Sequence, residues 1–272
     1  MEKAMNQLAK DIAAAEVPQG AVCLWWLGQA GFAFKTPAGT VALADPYLSD
    51  AVERLAGFKR LSPTPLEAED ARADLVVLTH EHTDHLDSDA LPVISRNNPA
   101  CRFASPEGCR EGLFEAGVSG DRFVLLEPGV PRVLGDLTIH AAPADHGDFS
   151  PSALALVLEV GGVRVMLTGD TSLRPGLFQP LLDLHPDVIL PCINGGFGNM
   201  DHVDAARLVE SARPRYAIPC HFWTFAEQGG GDPMGFIHAC RAFCPDVNAM
   251  LLRPGEAFTV ERQAPPGAKE IR

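Results

Sequence analysis

Short apolar runs broken by turn residues dominate the first part of the chain. Residues 21–27 and 31–35 flank the turn Gly28-Gln29-Ala30, and 40–44 follows Pro37-Ala38-Gly39; each run predicts a strand. Residues 74–79 are almost continuously apolar, the pattern of a strand buried on both faces. Between them, 48–70 carries Lys59, Arg60, Pro63 and Pro65 and reads as irregular. Helical spacing fits 88–97, with Asp87 or Ser88 as cap and Asp89 in the first turn. It also fits 106–116, opened by Pro106 and stopped by Gly117, after a short strand at 102–104. Strands follow near 123–125, 131–134 and 137–142. A hairpin then joins 153–160 to 163–168 through Gly161-Gly162. The remainder reads as strand 188–191, helix 203–212, strand 215–219, helix 233–243 and closing strands 248–252 and 257–260. Residues 1–17 suit a short amphipathic helix, and 263–272 a mobile tail. Strands that meander and then alternate with helices imply an α/β chain with two sheets sandwiched by helices. The expected organisation is a helical lead-in over 1–20, one domain over 21–262 and the tail.

Composition narrows the partners. With 272 residues, 46% hydrophobic and 21% charged, the chain is ordinary for a globular protein with a sizeable core. Its formal charge of −13 disfavours nucleic acid and anionic membrane, leaving a small molecule as the expected partner. No apolar run reaches the roughly 18 residues of a membrane span. The 7 cysteines form no C-x-x-C pair and sit largely in apolar runs, so reduced, buried thiols and a cytoplasmic location are expected. Trp25-Trp26 or the N-terminal segment offers an apolar surface on which two copies could pair.

The chemistry concentrates where the buried strand 74–79 ends, in His80-Glu81-His82-Thr83-Asp84-His85. Imidazoles and a carboxylate clustered this tightly suit zinc, iron or manganese. His80 and His82 can face one position while Asp84 and His85 turn toward a second. Two metals need further ligands, and later strands end in suitable residues: His146 after 137–142, Asp170 after 163–168, and His221 after 215–219.

The run resembles the H-x-H-x-D-H signature of the metallo-β-lactamase superfamily, with the later His, Asp and His in that family's order. The resemblance implies a four-layer αββα sandwich holding two divalent metal ions. It implies His80, His82 and His146 on one ion, Asp84, His85 and His221 on the other, and Asp170 bridging both. A narrower resemblance, to the L-ascorbate-6-phosphate lactonase branch, rests on Trp25-Trp26-Leu27-Gly28-Gln29-Ala30-Gly31-Phe32, Asp45-Pro46-Tyr47, Ala56-Gly57-Phe58-Lys59-Arg60-Leu61 and Ile218-Pro219-Cys220-His221. Only residues 147–152 separate His146 from the next strand, where that lactonase carries an insertion, so a different pocket wall is expected.

The chemistry so implied is hydrolysis by a metal-bridged hydroxide, on a lactone or carboxylic ester of a small substrate such as a phosphorylated sugar acid. Asp84 would both bind metal and relay the attacking water's proton. Asp45 either orients a metal-binding histidine or caps the following turn. Gln29 lies at a turn that the fold brings to the site mouth. Lys59 and Arg60 either meet a substrate phosphate or form a solvated face. The loop 194–202, with Asn194, Asn199 and His202, either receives an anion on its amides or is a connection in which Asp201 or His202 caps a helix. The competing functions are a phosphodiesterase on a small phosphodiester, a di-iron redox protein and a non-catalytic metal binder.

Overall fold

The computed structural model describes residues 5–228 and 231–262. Its first sheet contains β1 (Ala21–Gly28), β2 (Gly31–Lys35), β3 (Val41–Ala44), β4 (Leu75–Val77), β5 (Arg102–Ser105) and β6 (Phe123–Leu125). The second contains β7 (Arg132–Leu134), β8 (Leu137–Pro143), β9 (Leu154–Val160), β10 (Val163–Leu167), β11 (Val188–Leu190), β12 (Tyr216–Ala217) and β13 (Asn248–Ala249). The last strand, β14 (Ala257–Glu261), returns to the first sheet beside β1, giving seven strands per sheet among the described residues. β3 to β6 run parallel, as do β10 to β13, so the carboxyl ends of each set share one rim.

Strand alternation builds the layers. Along β1, Val22, Leu24 and Trp26 enter the core between the sheets, whereas Cys23, Trp25 and Leu27 face the opposite way. β2 and β3 repeat this, with Phe32, Phe34, Ala42 and Ala44 inside and Ala33 and Leu43 outside. Successive side chains of a strand point to opposite faces, so a sheet apolar on both must be covered on both. Helices α1 (Gln7–Ala14), α3 (Ala90–Asn97) and α4 (Arg110–Glu115) cover the outer face with Leu8, Ile12, Leu91, Ile94 and Leu113. The second sheet is covered by α5 (Pro175–Leu182), α6 (His202–Ala212) and α7 (Pro233–Phe243), through Phe178, Leu181, Leu208, Val209, Phe236 and Ile237. The short α2 (Ala51–Ala56) lies near the rim. The result is the helix–sheet–sheet–helix sandwich expected of the metallo-β-lactamase type. Each large apolar side chain so buried contributes on the order of 1.5–3 kcal/mol.

Several details differ from the sequence expectation. The segment 48–70 contains α2, whose Val52 N–H is taken up by the Tyr47 hydroxyl at 3.3 Å. Residues 170–187, assigned no element beforehand, contain α5. It carries the signals of a helix, Pro175 at its start and Phe178, Leu181 and Leu182 on one buried face. The expected helix 106–116 begins with a 3-10 turn at Glu107–Cys109 before α4. The predicted N-terminal helix is narrower, Gln7–Ala14, and Lys35 Nζ donates to its terminal carbonyls at Ile12 and Ala13. Trp25 and Trp26 are buried in opposite cores and give no pairing surface. All seven cysteines are free and buried, as expected. No helix among the described residues is long and apolar enough to cross a membrane. The expected tail, 263–272, lies outside the described residues.

Candidate metal centre

The rim where the parallel strands end collects the histidines and aspartates. β4 runs through Leu78 and Thr79 into His80, and the two sheets meet closely there, with Leu154 N donating to the Thr79 carbonyl at 3.0 Å. Gly169 makes this approach possible: a Cβ there would lie 3.0 Å from both Thr79 Cβ and the Leu154 carbonyl, and its φ is 59°. The next residue, Asp170, is thereby set directly opposite the histidine run.

Two groups of side chains converge. His80 Nε2 and His146 Nε2 lie 3.1 and 3.2 Å from His82 Nδ1. Three nitrogens bound to one zinc at ~2.1 Å in tetrahedral geometry sit roughly 3.4 Å apart, so this cluster has the dimensions of one coordination face. In the second group, His221 Nε2 is 3.3 Å from Asp84 Oδ2 and His85 Nε2 is 3.7 Å from it. Asp170 spans the two: Oδ1 lies 3.3 Å from His85 Nε2 and 3.1 Å from His221 Nε2, while Oδ2 is 3.9 Å from His146 Nε2.

The opposite edges of the rings are held so that the inner nitrogens stay available. Asp45 accepts from Thr79 N at 2.8 Å and from Thr79 Oγ1 at 2.6 Å, and its Oδ2 also accepts from His85 Nδ1 at 2.9 Å. The Thr79 hydroxyl proton being committed to Asp45, its oxygen accepts from His80 Nδ1 at 3.1 Å. One carboxylate thus orients a histidine of each group, as outer partners of metal-binding histidines do. His82 Nε2 donates to the Phe149 carbonyl at 3.2 Å, turning Nδ1 inward.

Charge follows this arrangement. Burial works against charge on His85, but the carboxylates of Asp170, Asp45 and Asp84 outweigh it and push its pKa well above the usual histidine value. His221, equally buried, is pushed up to about 9 by Asp170 and Asp84. Burial opposes ionisation of Asp84 and Asp170 too, yet His85 and His221 hold both well below the ordinary carboxylate range. Burial, with His85 beside it, drives His80 the other way, toward the neutral form that a metal requires.

The donor set fits divalent metal. His85 Nε2 and Asp170 Oδ1 are buried, make no hydrogen bond and point at each other's group. Such atoms are costly unless a proton or cation sits among them. Nitrogen and carboxylate oxygen in this mixture suit zinc, manganese or iron.

The other candidate residues take different places. Gln29 is wholly buried and does not line the cavity: its Nε2 donates to Asp84 Oδ2 at 2.6 Å, and its carbonyl accepts from His221 N and Trp26 Nε1. Asn199 donates to Asp170 Oδ2 at 2.7 Å and to Asn194 Oδ1 at 3.1 Å. Within the loop Gly195 N donates to Met200 O and Asn199 N to Gly196 O, while Met200 N donates to Thr171 O, so these three amides are not offered to an anion. Asp201 caps α6, accepting from Val203 N and Asp204 N, and His202 packs toward α7, its Cδ2 lying 2.7 Å from where a Gly235 Cβ would stand. Lys59 is exposed. Arg60 turns away, donating to the Tyr47 and Ser49 carbonyls at 3.1 and 2.8 Å and stacking over the Tyr47 ring. Neither lines the cavity above the histidines, which measures about 340 Å³.

The sequence did not single out Phe58, Phe149 and Phe197, which line that cavity. Left-handed backbone also gathers here: Gln29 (φ 50°), Asp45 (φ 40°), Phe197 (φ 55°) and His221 (φ 58°) are all non-glycine. Strain of this kind persists where surrounding structure enforces it, and it clusters at functional sites.

Two facing mixed sheets flanked by helices, with His/Asp clusters suited to metal between their strand ends, define a metal-dependent hydrolase of the metallo-β-lactamase superfamily. The chain belongs to the beta-lactamase superfamily domain family, whose model matches residues 23–221. It is 33% identical over 248 residues to a UPF0173 metal-dependent hydrolase of Aeropyrum pernix, covering 86% of this chain and 96% of that one. Among solved structures, Igni18, a metallo hydrolase from Ignicoccus hospitalis, is 26% identical with a TM-score of 0.70, covering 89% of this chain and all of that one (100%). YhfI of Bacillus subtilis, a metallo-β-lactamase fold protein, shares the fold at 17% identity and a TM-score of 0.67, over 89% of this chain and 100% of that one.

Proposed function

We propose that this protein hydrolyses the ester or lactone bond of a small molecule at two divalent ions. His80, His82 and His146 would hold one ion, Asp84, His85 and His221 the other, with Asp170 between them. The observation that carries this reading is Asp170, whose two oxygens face the two groups separately. Such ions, when bound, lower the pKa of water from 15.7 toward ~7 and polarise a carbonyl oxygen.

The chain's own residues do the rest. Asp84 stands at the floor of the cavity, where it can receive the proton of an attacking water, and Gln29 fixes its carboxylate. Asp45 and Thr79 hold His80 and His85 in the tautomers that turn Nε2 inward. Asn199 holds the Oδ2 edge of Asp170.

The test is metal analysis joined to a substrate screen. Protein purified without chelator should contain about two zinc, manganese or iron ions per chain. It should cleave lactones or esters, and His82→Ala should abolish turnover. Cleavage of small phosphodiesters alone would move the assignment to a phosphodiesterase, and absence of metal after supplementation would overturn the reading.

A further inference from the structure

We propose that the cavity selects an uncharged ester or lactone carrying an aromatic or bulky apolar group, and that Phe58, Phe149 and Phe197 recognise that group. This rests on the hydrolytic reading above and names its substrate class.

The cavity has two unlike faces. Its floor is His82, Thr83, Asp84, His146, Asp170 and His221; its opposite wall is Val52, Leu55, Ala56, Phe58, Phe149 and Phe197. That wall is apolar without exception, and it is open. Phe149 is 64% exposed, Leu55 58% and Phe197 50%. Large apolar side chains left in water around one opening, rimming a polar floor, are the signature of a binding surface. Phe58 and Phe197 approach with ring centroids 6.5 Å apart, and Phe149 lies 5.9 Å from the His146 ring on the floor. An aromatic substituent laid against these exposed rings would meet their edges and faces.

Charge excludes the alternative. Among the described residues no lysine or arginine lines the cavity, and its only charged side chains besides histidine are Asp84 and Asp170. The adjacent basic pair gives no help, since Arg60 is committed to the Tyr47 and Ser49 carbonyls. A phosphate or carboxylate distant from the scissile bond would therefore sit beside phenyl rings with no chain cation to meet it, losing hydration without a partner in return. The cavity's volume of about 340 Å³ is that of a small-molecule pocket. In the reaction, water adds at the acyl carbon and the acyl C–O bond breaks. The products are a carboxylic acid and an alcohol, joined as one hydroxy acid when the substrate is a lactone.

Three lactones test the proposal on the metal-loaded protein: γ-butyrolactone, its γ-phenyl derivative, and a γ-hydroxymethyl derivative phosphorylated on the hydroxyl. The expected order of kcat/KM is phenyl, then unsubstituted, then phosphorylated, with about tenfold between the first two. Phe149→Ala and Phe197→Ala should each lower the phenyl-to-unsubstituted ratio several-fold. The Phe149 carbonyl that holds His82 survives the first substitution. Binding is measured separately, by calorimetric titration with the γ-phenyl lactam, which is not turned over; its affinity should fall in both variants. The proposal is overturned if the phosphorylated lactone is preferred, or if both variants keep the wild-type ratio and lactam affinity. Should no lactone be cleaved at all, the hydrolytic reading fails, while lactam binding and its loss in the variants still decide what the wall recognises.

Discussion

Asp45 Oδ2 accepts the Nδ1 proton of His85 across 2.9 Å although the two residues lie 40 positions apart, and both are fully buried. The same carboxylate takes the Thr79 hydroxyl and, through it, steadies His80. A single side chain from the end of β3 therefore governs one histidine in each candidate metal group.

Asp45→Asn keeps the shape but puts an amide where the carboxylate accepts three donors. Removing such an outer partner typically costs 10–100-fold in metal affinity, and a loss of about that size is expected here. Chelator competition measures it; unchanged affinity in both positions would show that Asp45 serves only the turn.

Proton release should accompany metal uptake. His221, with a pKa pushed up to about 9, favours its protonated form at pH 7, and the surrounding carboxylates push His85 in the same direction. Ligation requires neutral imidazole, so at pH 7 metal entry at that position must expel those protons, roughly one or two per ion. Apparent affinity then weakens as pH falls and strengthens as pH rises toward 9. Zinc added to metal-free protein in weak buffer should acidify the solution; no acidification at pH 7 would contradict this.

Gln29→Leu removes the donor that holds Asp84 Oδ2 at 2.6 Å without altering the cavity lining. A fall in kcat of about 10–100-fold with KM little changed is expected, the mark of lost orientation at the reacting centre. Steady-state kinetics separate this from direct substrate contact, which would appear mainly in KM.

Lys59 and Arg60 should behave as unlike neighbours. Lys59→Ala is expected to leave both stability and kcat/KM within error. Arg60→Ala leaves the Tyr47 and Ser49 carbonyls without their donor and strips the cation from the Tyr47 ring, at a cost of about 1–3 kcal/mol. Urea denaturation of the two variants distinguishes a structural arginine from a phosphate-binding one.

What could be read from the chain alone was whatever depends on neighbours in sequence. The apolar runs 21–27 and 74–79, each bounded by turn or polar residues, determined the strands, because short continuous apolar runs suit strands buried on both faces. The crowding of His80, His82, Asp84 and His85 after a buried strand determined where chemistry would lie, since such residues have no packing reason to cluster there. Asp45 was legible only as a strand-end carboxylate with two open roles.

Tertiary structure alone decided the rest. Helix α2 is six residues long and too short to be stable by propensity; it forms where Tyr47 and the rim support it. Gln29 and Asn199 read as substrate contacts because both lie in loops, yet folding turns them inward onto Asp84 and Asp170. Arg60, read as either a phosphate contact or part of a solvated face, instead meets two backbone carbonyls that only the folded rim presents. Phe58 and Phe197 come from two separate loops and Phe149 from the 3-10 turn Gly147–Phe149, and no local pattern marks them as one wall. Their convergence is a property of how two sheets bring distant turns to the same edge, and that relation is not encoded in any window of neighbouring residues.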